Sequence, residues 1–227
     1  MSKVGRPKVL ASWSSGKDSA WALYVLRGQG AVEVVGLLTT VNQAVGRVAM
    51  HAVREELLDA QAVALGLPLI KVLIPSPCSN DQYGSAMAAA LDRAKAGGIT
   101  AMAFGDLFLE DVRRYREERL AGTGIEPLFP LWGTDTARLA RDMVSGGVQA
   151  QITCVDPKQL DGSFAGRTFD DRLLDELPHG VDPCGERGEF HTFIYGGPMF
   201  DRPIPVASGA TVSRDGFVFA DVLLRYE

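Results

Sequence analysis

Short apolar runs alternate with helix-length stretches through the first half of the chain. The apolar runs at residues 8–13, 32–41, 69–74 and 100–104 predict buried strands. Apolar positions at helical spacing predict helices over 17–26, 52–65, 81–96 and 109–120, and Gly66 is a typical stop for the second of these. Strands that alternate with helices predict βαβ units and a parallel, Rossmann-like sheet, whose ligands bind outside the carboxyl ends of the strands.

This alternation changes near residues 126–132. One more helix is predicted over 134–144, with Thr134 as its N-cap, and strands are predicted over 148–155, 190–195 and 217–224. The stretch from 156 onward is rich in Gly, Pro and Asp and therefore predicts many loops. We expect an α/β domain over residues 1–130 and a smaller α+β domain over residues 131–227.

Composition limits the function classes. Hydrophobic residues make up 46% of the chain and charged residues 22%, as in ordinary globular proteins, and a net charge of −5 argues against general binding to nucleic acid. The three cysteines (Cys78, Cys154 and Cys184) form no CxxC pair, which favours reduced, buried thiols over a disulfide scaffold or a zinc site. The N-terminus is polar and basic and no long apolar run follows, so we expect a cytoplasmic protein without a membrane span.

The stretch ASWSSGKDSA, at residues 11–20, combines small residues, hydroxyls and a lysine between a strand and a helix. Free N–H groups at the start of a helix favour phosphate there, although Ser14 and Ser15 are also ordinary helix caps. The stretch does not fit the P-loop pattern, which needs a glycine where Ala11 stands and a Ser or Thr where Asp18 stands.

Residues 14–19 (SSGKDS) instead resemble the PP-loop, S-G-G-K-D-S, of the N-type ATP pyrophosphatases. Ser15 replaces the second-position glycine, a change that we expect to be mild because the side chain stays small. The resemblance implies a HUP-type fold and cleavage of ATP between its α and β phosphates, with transfer of AMP to a substrate oxygen. It also implies that Ser14, Ser15, Gly16, Lys17, Asp18 and Ser19, together with Gly105 and Asp106, bind the nucleotide.

Four more stretches narrow the resemblance. Residues 50–54 (MHAVR), 104–114 (FGDLFLEDVRR), 130–133 (PLWG) and 184–193 (CGERGEFHTF) resemble the diphthine–ammonia ligase family and its ATP-binding relatives. The last contains the family's G-E-x-G-E-[FY] pattern and is the most specific. The resemblance covers nearly the whole chain. It implies that ATP adenylates a carboxylate and that ammonia displaces AMP to form an amide.

The resemblance also implies roles for single residues. Lys17 would neutralise the leaving pyrophosphate, and Asp18 and Asp106 would hold Mg²⁺. Glu186 and Glu189 would bind the amine or take its proton, and Arg113, with Trp132 as a pocket wall, would bind the substrate carboxylate.

Each of these residues has a plainer alternative. Asp18 and Asp106 can cap helices, and Glu186 and Glu189 can stabilise a turn. Arg113 and Arg114 lie in a helix dense in charge, where a solvated face is common. Trp132 can be a core residue, and the histidines His51 and His191 can be structural.

The sequence leaves partners and rival functions open. The implied partners are ATP, ammonia and a carboxylate: diphthine on elongation factor 2, or another protein or small molecule. Free ammonia is the simpler nitrogen source, because 227 residues leave no room for a glutaminase domain. A homodimer is compatible with the sequence. The rivals are a PP-loop tRNA-modifying enzyme with a persulfide on Cys154 or Cys184, and a regulatory protein that binds adenine nucleotides without catalysis.

Overall fold

A computed structural model describes residues 5–43 and 53–226 of the chain, together with the backbone of residues 47–48. Its strands are β1 (Lys8–Ser12), β2 (Glu33–Asn42), β3 (Arg47–Val48), β4 (Leu69–Ile74), β5 (Ile99–Ala103), β6 (Glu126–Leu128), β7 (Gln149–Val155), β8 (Phe190–Gly196), β9 (Val206–Arg214) and β10 (Phe217–Leu224). Its helices are α1 (Lys17–Gln29), α2 (Glu55–Leu65), α3 (Asn80–Ala96), α4 (Glu110–Leu120), α5 (Thr136–Ser145) and α6 (Asp171–Glu176), with a 3₁₀ turn at Gly162–Phe164.

The first sheet confirms the predicted α/β class. Five of its strands are parallel, in the order β4-β2-β1-β5-β6, and β3 pairs antiparallel with the end of β2. The central strand β1 is buried at three consecutive positions, Val9 to Ala11, as expected for a strand covered on both faces. The carboxyl ends of β1 and β5 therefore lie side by side, and the loops that follow them form one edge of the sheet.

The second sheet is antiparallel, in the order β8-β7-β10-β9. The largest core cluster contains residues of both sheets, among them Ala11 and Leu37 from the first and Ile152, Phe193 and Val222 from the second. The two sheets thus share a continuous hydrophobic core, and β8 lies against α1. The domain boundary expected at residue 130 stays a prediction.

The pattern of the sequence located most elements to within a few residues, but it did not predict β3, β6, β9 or α6. The predicted cap of α5 was also wrong. The cap of α5 is Asp135 rather than Thr134: the Asp135 side chain accepts a hydrogen bond from the Arg138 N–H. Residues 50–52, which were expected to open α2, lie outside the described residues. None of the helices in the described ranges is long and apolar enough to cross a membrane.

Candidate functional site

The loop between β1 and α1 is held in a strained conformation. Ser15 has a φ of 67°, in the left-handed region, and is fully buried. Glycine adopts this region at little cost, whereas a side chain costs roughly 1–2 kcal/mol there. We expected the replacement of the second-position PP-loop glycine by Ser15 to be mild, because serine is small. The positive φ of Ser15 shows that the replacement has an energetic cost. It preserves the loop but adds backbone strain.

A buried amide fixes this loop. Gln61, on α2, accepts a hydrogen bond from Trp13 Nε1 at 2.8 Å through Oε1. Its Nε2 donates to the carbonyl of Ser15 at 3.1 Å and to that of Ile194 at 2.7 Å. The Ile194 N–H also donates to the Ser15 carbonyl, at 3.0 Å. Gln61, which the sequence analysis did not single out, therefore joins the loop to α2 and β8.

The loop after β5 packs against the start of α1. A Cβ atom on Gly105 would lie 2.8 Å from the Asp18 carbonyl carbon and 2.8 Å from the Ser19 nitrogen. Real Cβ atoms do not approach backbone so closely, and hence only glycine fits at this position. This contact brings Gly105 and Asp106 next to the SSGKDS loop, as the resemblance implied.

Asp106 carries an unpaired oxygen. Its Oδ2 lies 3.5 Å from Arg116 Nε, too far for a good hydrogen bond, and within the described part of the chain neither atom has another hydrogen-bond partner. Burial raises the pKa of Asp106, although Arg116 opposes this. A buried carboxylate oxygen without a donor suits Mg²⁺, which takes one or two protein carboxylates and completes its shell with phosphate and water. Among the described side chains, no group of three or more metal-ligating residues occurs.

The loop over residues 182–189 brings Glu186 to the same place. Glu186 Oε1 accepts hydrogen bonds from the backbone N–H groups of Leu107, at 2.8 Å, and Phe108, at 3.4 Å. Burial raises the pKa of Glu186 to about 7, with further contributions from Asp18 and Asp106 that the Leu107 hydrogen bond partly offsets. A carboxyl group with this pKa can exchange protons near neutral pH.

Glu189 occupies a different environment from Glu186. Its Oε1 accepts from the Asp182 N–H and its Oε2 from the Arg187 N–H, both at 2.9 Å, and the residue is buried. Glu186 lines the cavity described below, whereas Glu189 is absent from its described lining. This arrangement favours the alternative in which Glu189 stabilises the turn, and its role towards an amine stays a prediction.

Lys17 is almost entirely enclosed. Its Nζ lies 3.1 and 3.0 Å from the two carboxylate oxygens of Asp18 and 2.5 Å from the Cys184 carbonyl oxygen. Burial alone would lower the pKa of Lys17, but Asp18, Cys184 and Asp182 together outweigh burial, and the pKa is raised. Both Lys17 and Asp18 line the smaller cavity described below, but the Asp18 side chain is 27% exposed and the Lys17 side chain only 2%.

These segments enclose two adjoining cavities. The smaller cavity, of about 260 Å³, is lined by the loop and by the acids Asp18, Asp106 and Glu186, with His191 beside them. Burial, and secondarily Lys17, lowers the pKa of His191 to about 4, so the imidazole is neutral near pH 7. The larger cavity, of about 490 Å³, lies beside β2 and the end of β1 and is lined by residues of α3 and α4.

Four residues line both cavities: Ser12, Ser14, Phe104 and Arg116. Arg116 stands over the Phe104 ring at 5.1 Å and turns its guanidinium towards Asp106. Arg116 was not predicted as a site residue, because it lies in a helix where charged residues are the rule. An anionic ligand that spans both cavities would pass this cation.

Arg113 and Trp132, the two other residues predicted to bind the substrate, contact each other outside the two cavities. Arg113 stacks over the rings of Trp132, at 4.7 Å, and Phe129, at 4.8 Å, and donates to Glu117 at 2.8 Å. Neither Arg113 nor Trp132 belongs to the described lining of the two cavities. Their role in binding a carboxylate stays a prediction.

Cys154 and Cys184 are buried thiols, as expected, whereas Cys78 is only half-buried, so the expectation was wrong for Cys78. Burial raises the pKa of Cys154 to about 11 and that of Cys184 further. Because the thiolate is the reactive form, such thiols are poor nucleophiles at neutral pH. This favours the structural interpretation that we gave them over a sulfur-carrying one.

The chain matches two family models over most of its length. The model described as the diphthamide synthase N-terminal domain matches residues 7–125, and the one described as the diphthamide synthase C-terminal domain matches residues 135–220. The chain is 28% identical over 240 residues to the diphthine–ammonia ligases of Homo sapiens and Bos taurus, which covers 95% of this chain and 88% of each of them. The Danio rerio diphthine–ammonia ligase is also 28% identical, over 251 residues, with 96% of this chain and 94% of that protein covered.

Proposed function

The chain belongs to the diphthamide synthase family, and from this premise we propose that it is an ATP-dependent ligase that converts a carboxylate into an amide with ammonia. The observation that carries the proposal is the smaller cavity. There the SSGKDS loop, Asp106 and Glu186 come together from three separate parts of the chain. The similarity to proteins named diphthine–ammonia ligase supports diphthine as the acceptor, which would be carried on elongation factor 2.

The two cavities suit the two parts of ATP. In the proposed arrangement the nucleoside occupies the larger cavity, where apolar residues such as Met87 and Leu91 line the wall. The phosphates then pass Arg116 into the smaller cavity, and the hydroxyls of Ser14 and Ser19 and the start of α1 face them there. The cleaved bond would lie where the two cavities meet.

The proposed reaction has two steps. An oxygen of the acceptor carboxylate attacks the α-phosphorus, and the bond to the β-phosphate oxygen breaks, so pyrophosphate leaves. Ammonia then attacks the acyl carbon and a C–N bond forms. The single bond between the acyl carbon and the phosphate oxygen of AMP breaks, and AMP leaves with the electron pair of that bond. Glu186 takes the proton that the nitrogen loses, a role for which a carboxyl with a pKa of about 7 is suited.

Mg²⁺ fits Asp106 better than Asp18. Asp106 Oδ2 lacks a donor among the described residues, whereas both oxygens of Asp18 lie within hydrogen-bond distance of Lys17. We propose that Asp106 holds the ion. When bound, the ion neutralises charge on the phosphates.

A product assay tests the proposal. The protein is incubated with ATP, Mg²⁺, ammonium and elongation factor 2 that bears diphthine, and the nucleotide products are identified. We expect AMP, pyrophosphate and an amide on the factor, and loss of all three in Asp106→Asn. ADP and phosphate as products, or an unmodified factor together with a different amidated carboxylate from a metabolite pool, would overturn the mechanism or the acceptor respectively.

A further inference from the structure

The ammonium of Lys17 is bound by oxygens of Asp18 and of the 182–189 loop. A protonated lysine has three N–H donors, and three oxygens lie within 3.1 Å: two of Asp18 and the carbonyl of Cys184. The Lys17 side chain is only 2% exposed. Its charge is thus compensated within the protein.

Two aromatic rings complete this environment. Nζ lies 5.2 Å from the centre of the Phe169 ring and 5.4 Å from that of Phe190, distances at which the face of a ring attracts a cation. The Lys17 backbone N–H is engaged as well, because it donates to Thr192 Oγ1 at 3.1 Å. Lys17 therefore contacts the C-terminal part of the chain through both its backbone and its side chain.

The carbonyl that Lys17 holds belongs to the segment that carries Glu186. Cys184 and Glu186 both donate their N–H groups to Asp182 Oδ1, at 2.9 and 3.3 Å, so the segment is a compact turn. At its other end Glu186 accepts from Leu107. The turn is thus fixed on one side by Lys17 and on the other by the loop after β5.

We propose that Lys17 is a positioning residue: its ammonium holds the Cys184–Glu186 turn over the smaller cavity and does not bind the phosphates of ATP. Contact with the phosphates then falls to the hydroxyls of Ser14 and Ser19 and to Arg116, which line the smaller cavity. The proposal rests on the proposed function for the nucleotide and the reaction. Its structural part, the link from Lys17 to the turn, stands without them.

The test compares Lys17→Met with the unchanged protein. Methionine keeps an apolar chain against Phe169 and Phe190 and removes the charge. We expect the amides of residues 182–189 to exchange hydrogen at least threefold faster, the Kd for ATP in the presence of Mg²⁺ to change less than fivefold, and kcat for AMP formation to fall at least tenfold. A phosphate ligand would behave differently, because losing a charged hydrogen bond of about 1.5–3 kcal/mol weakens binding roughly tenfold or more.

Lys71→Met is the matched control. Lys71 also contacts two carboxylates, those of Glu55 and Asp59, both at 2.7 Å, but it lies outside the described lining of both cavities. It should change none of the three quantities. If Lys17→Met does not fold because Asp18 loses its cation, the double variant Lys17→Met with Asp18→Asn replaces it in the exchange measurement.

Exchange at residues 182–189 that rises less than threefold, or a Kd for ATP that rises fivefold or more in Lys17→Met, overturns the proposal. The exchange measurement needs neither ATP nor an acceptor. If the unchanged protein fails to bind ATP, the proposed function fails, and the link between Lys17 and the turn is still decided by exchange.

Discussion

The carboxylate of Glu186 accepts a hydrogen bond from the backbone N–H of Leu107, across 2.8 Å and between two segments far apart in the sequence. This contact places a partly buried acid beside Asp106 and the SSGKDS loop. It joins the stretch at residues 184–193 to the stretch at residues 104–114.

Glu186→Gln tests the proton-accepting role. Glutamine keeps an oxygen for the Leu107 N–H but cannot take a proton at neutral pH. With free ammonia held at the same concentration at every pH, we expect amide formation in the unchanged protein to rise with pH through about 7, as the carboxylate forms. In the variant it should be at least tenfold slower and should lack this rise. A variant with an unchanged rate and pH profile would exclude Glu186 as the base.

The same variant makes an independent prediction for stability. The pKa of Glu186 is raised from an ordinary 4.5 to about 7, so between these values the folded protein binds more protons than the unfolded chain. The free energy of unfolding therefore receives a contribution from this group that is lost as pH rises through about 7. Thermal melts should show Glu186→Gln more stable, relative to the unchanged protein, at pH 8 than at pH 5. An equal difference at both pH values would contradict the raised pKa.

Gly105→Ala tests the contact between β5 and α1. The added methyl group would overlap the backbone of Asp18 and Ser19, and we expect a loss of about 1–3 kcal/mol of stability together with at least tenfold weaker ATP binding. Gly28→Ala is the control. Gly28 lies on α1, the helix against which Gly105 packs, and nothing lies within 4 Å of its Cβ position. The free energy of unfolding of this variant should rise by about 0.5–1 kcal/mol, since alanine favours the helix more than glycine does. Urea unfolding and calorimetric titration with ATP give both quantities; equal behaviour of the two variants would contradict the packing argument.

Ser15→Gly tests the strain in the loop. Glycine adopts a φ of 67° readily, and the variant should be more stable by up to about 1 kcal/mol, the strain relieved less the greater entropy of the unfolded glycine. The prediction is checked by urea unfolding, with ATP binding as a measure of the loop's integrity. A loss of stability would mean that the buried Ser15 hydroxyl, which donates to the Ser14 carbonyl, contributes more than the strain costs.

Arg116→Met tests the passage between the cavities. We expect the Kd for ATP to rise at least tenfold, because the variant removes the cation that lines both cavities next to Asp106. Arg138→Met serves as control: that arginine is 81% exposed and pairs only loosely with Asp142, at 3.6 Å, on the surface of α5. An unchanged Kd in Arg116→Met would remove Arg116 from the nucleotide site.

The parallel sheet and most of its helices could be predicted from the sequence. A strand buried on both faces, such as β1, appears as an apolar run, and a helix end is often marked by glycine. The sequence pattern did not predict β9, most of whose residues are exposed and which therefore has no apolar run, or β6, which is only three residues long. The cap of α5 was placed one residue early, since Thr134 and Asp135 are both good caps and only the folded backbone distinguishes them.

The residues of the candidate site that belong to motifs could be predicted from the sequence. The contacts between residues far apart in the sequence could not. The resemblance implied roles for Glu186 and Asp106 in one reaction, and both residues line the smaller cavity. The enclosure of Lys17 by the Cys184 carbonyl could not be predicted, because a backbone oxygen leaves no signal in the sequence. Gln61 was detectable in principle, as a polar residue on the buried face of α2 between Leu57 and Leu65.

Oxygen-18 transfer tests the central claim most directly. The protein is incubated with ATP, Mg²⁺, ammonium and an acceptor whose carboxylate carries oxygen-18, and the AMP is analysed by mass spectrometry. Adenylation of the carboxylate followed by amide formation predicts one oxygen-18 atom in the phosphate of AMP and an amide on the acceptor. Unlabelled AMP, or oxygen-18 in inorganic phosphate formed together with ADP, would contradict the account.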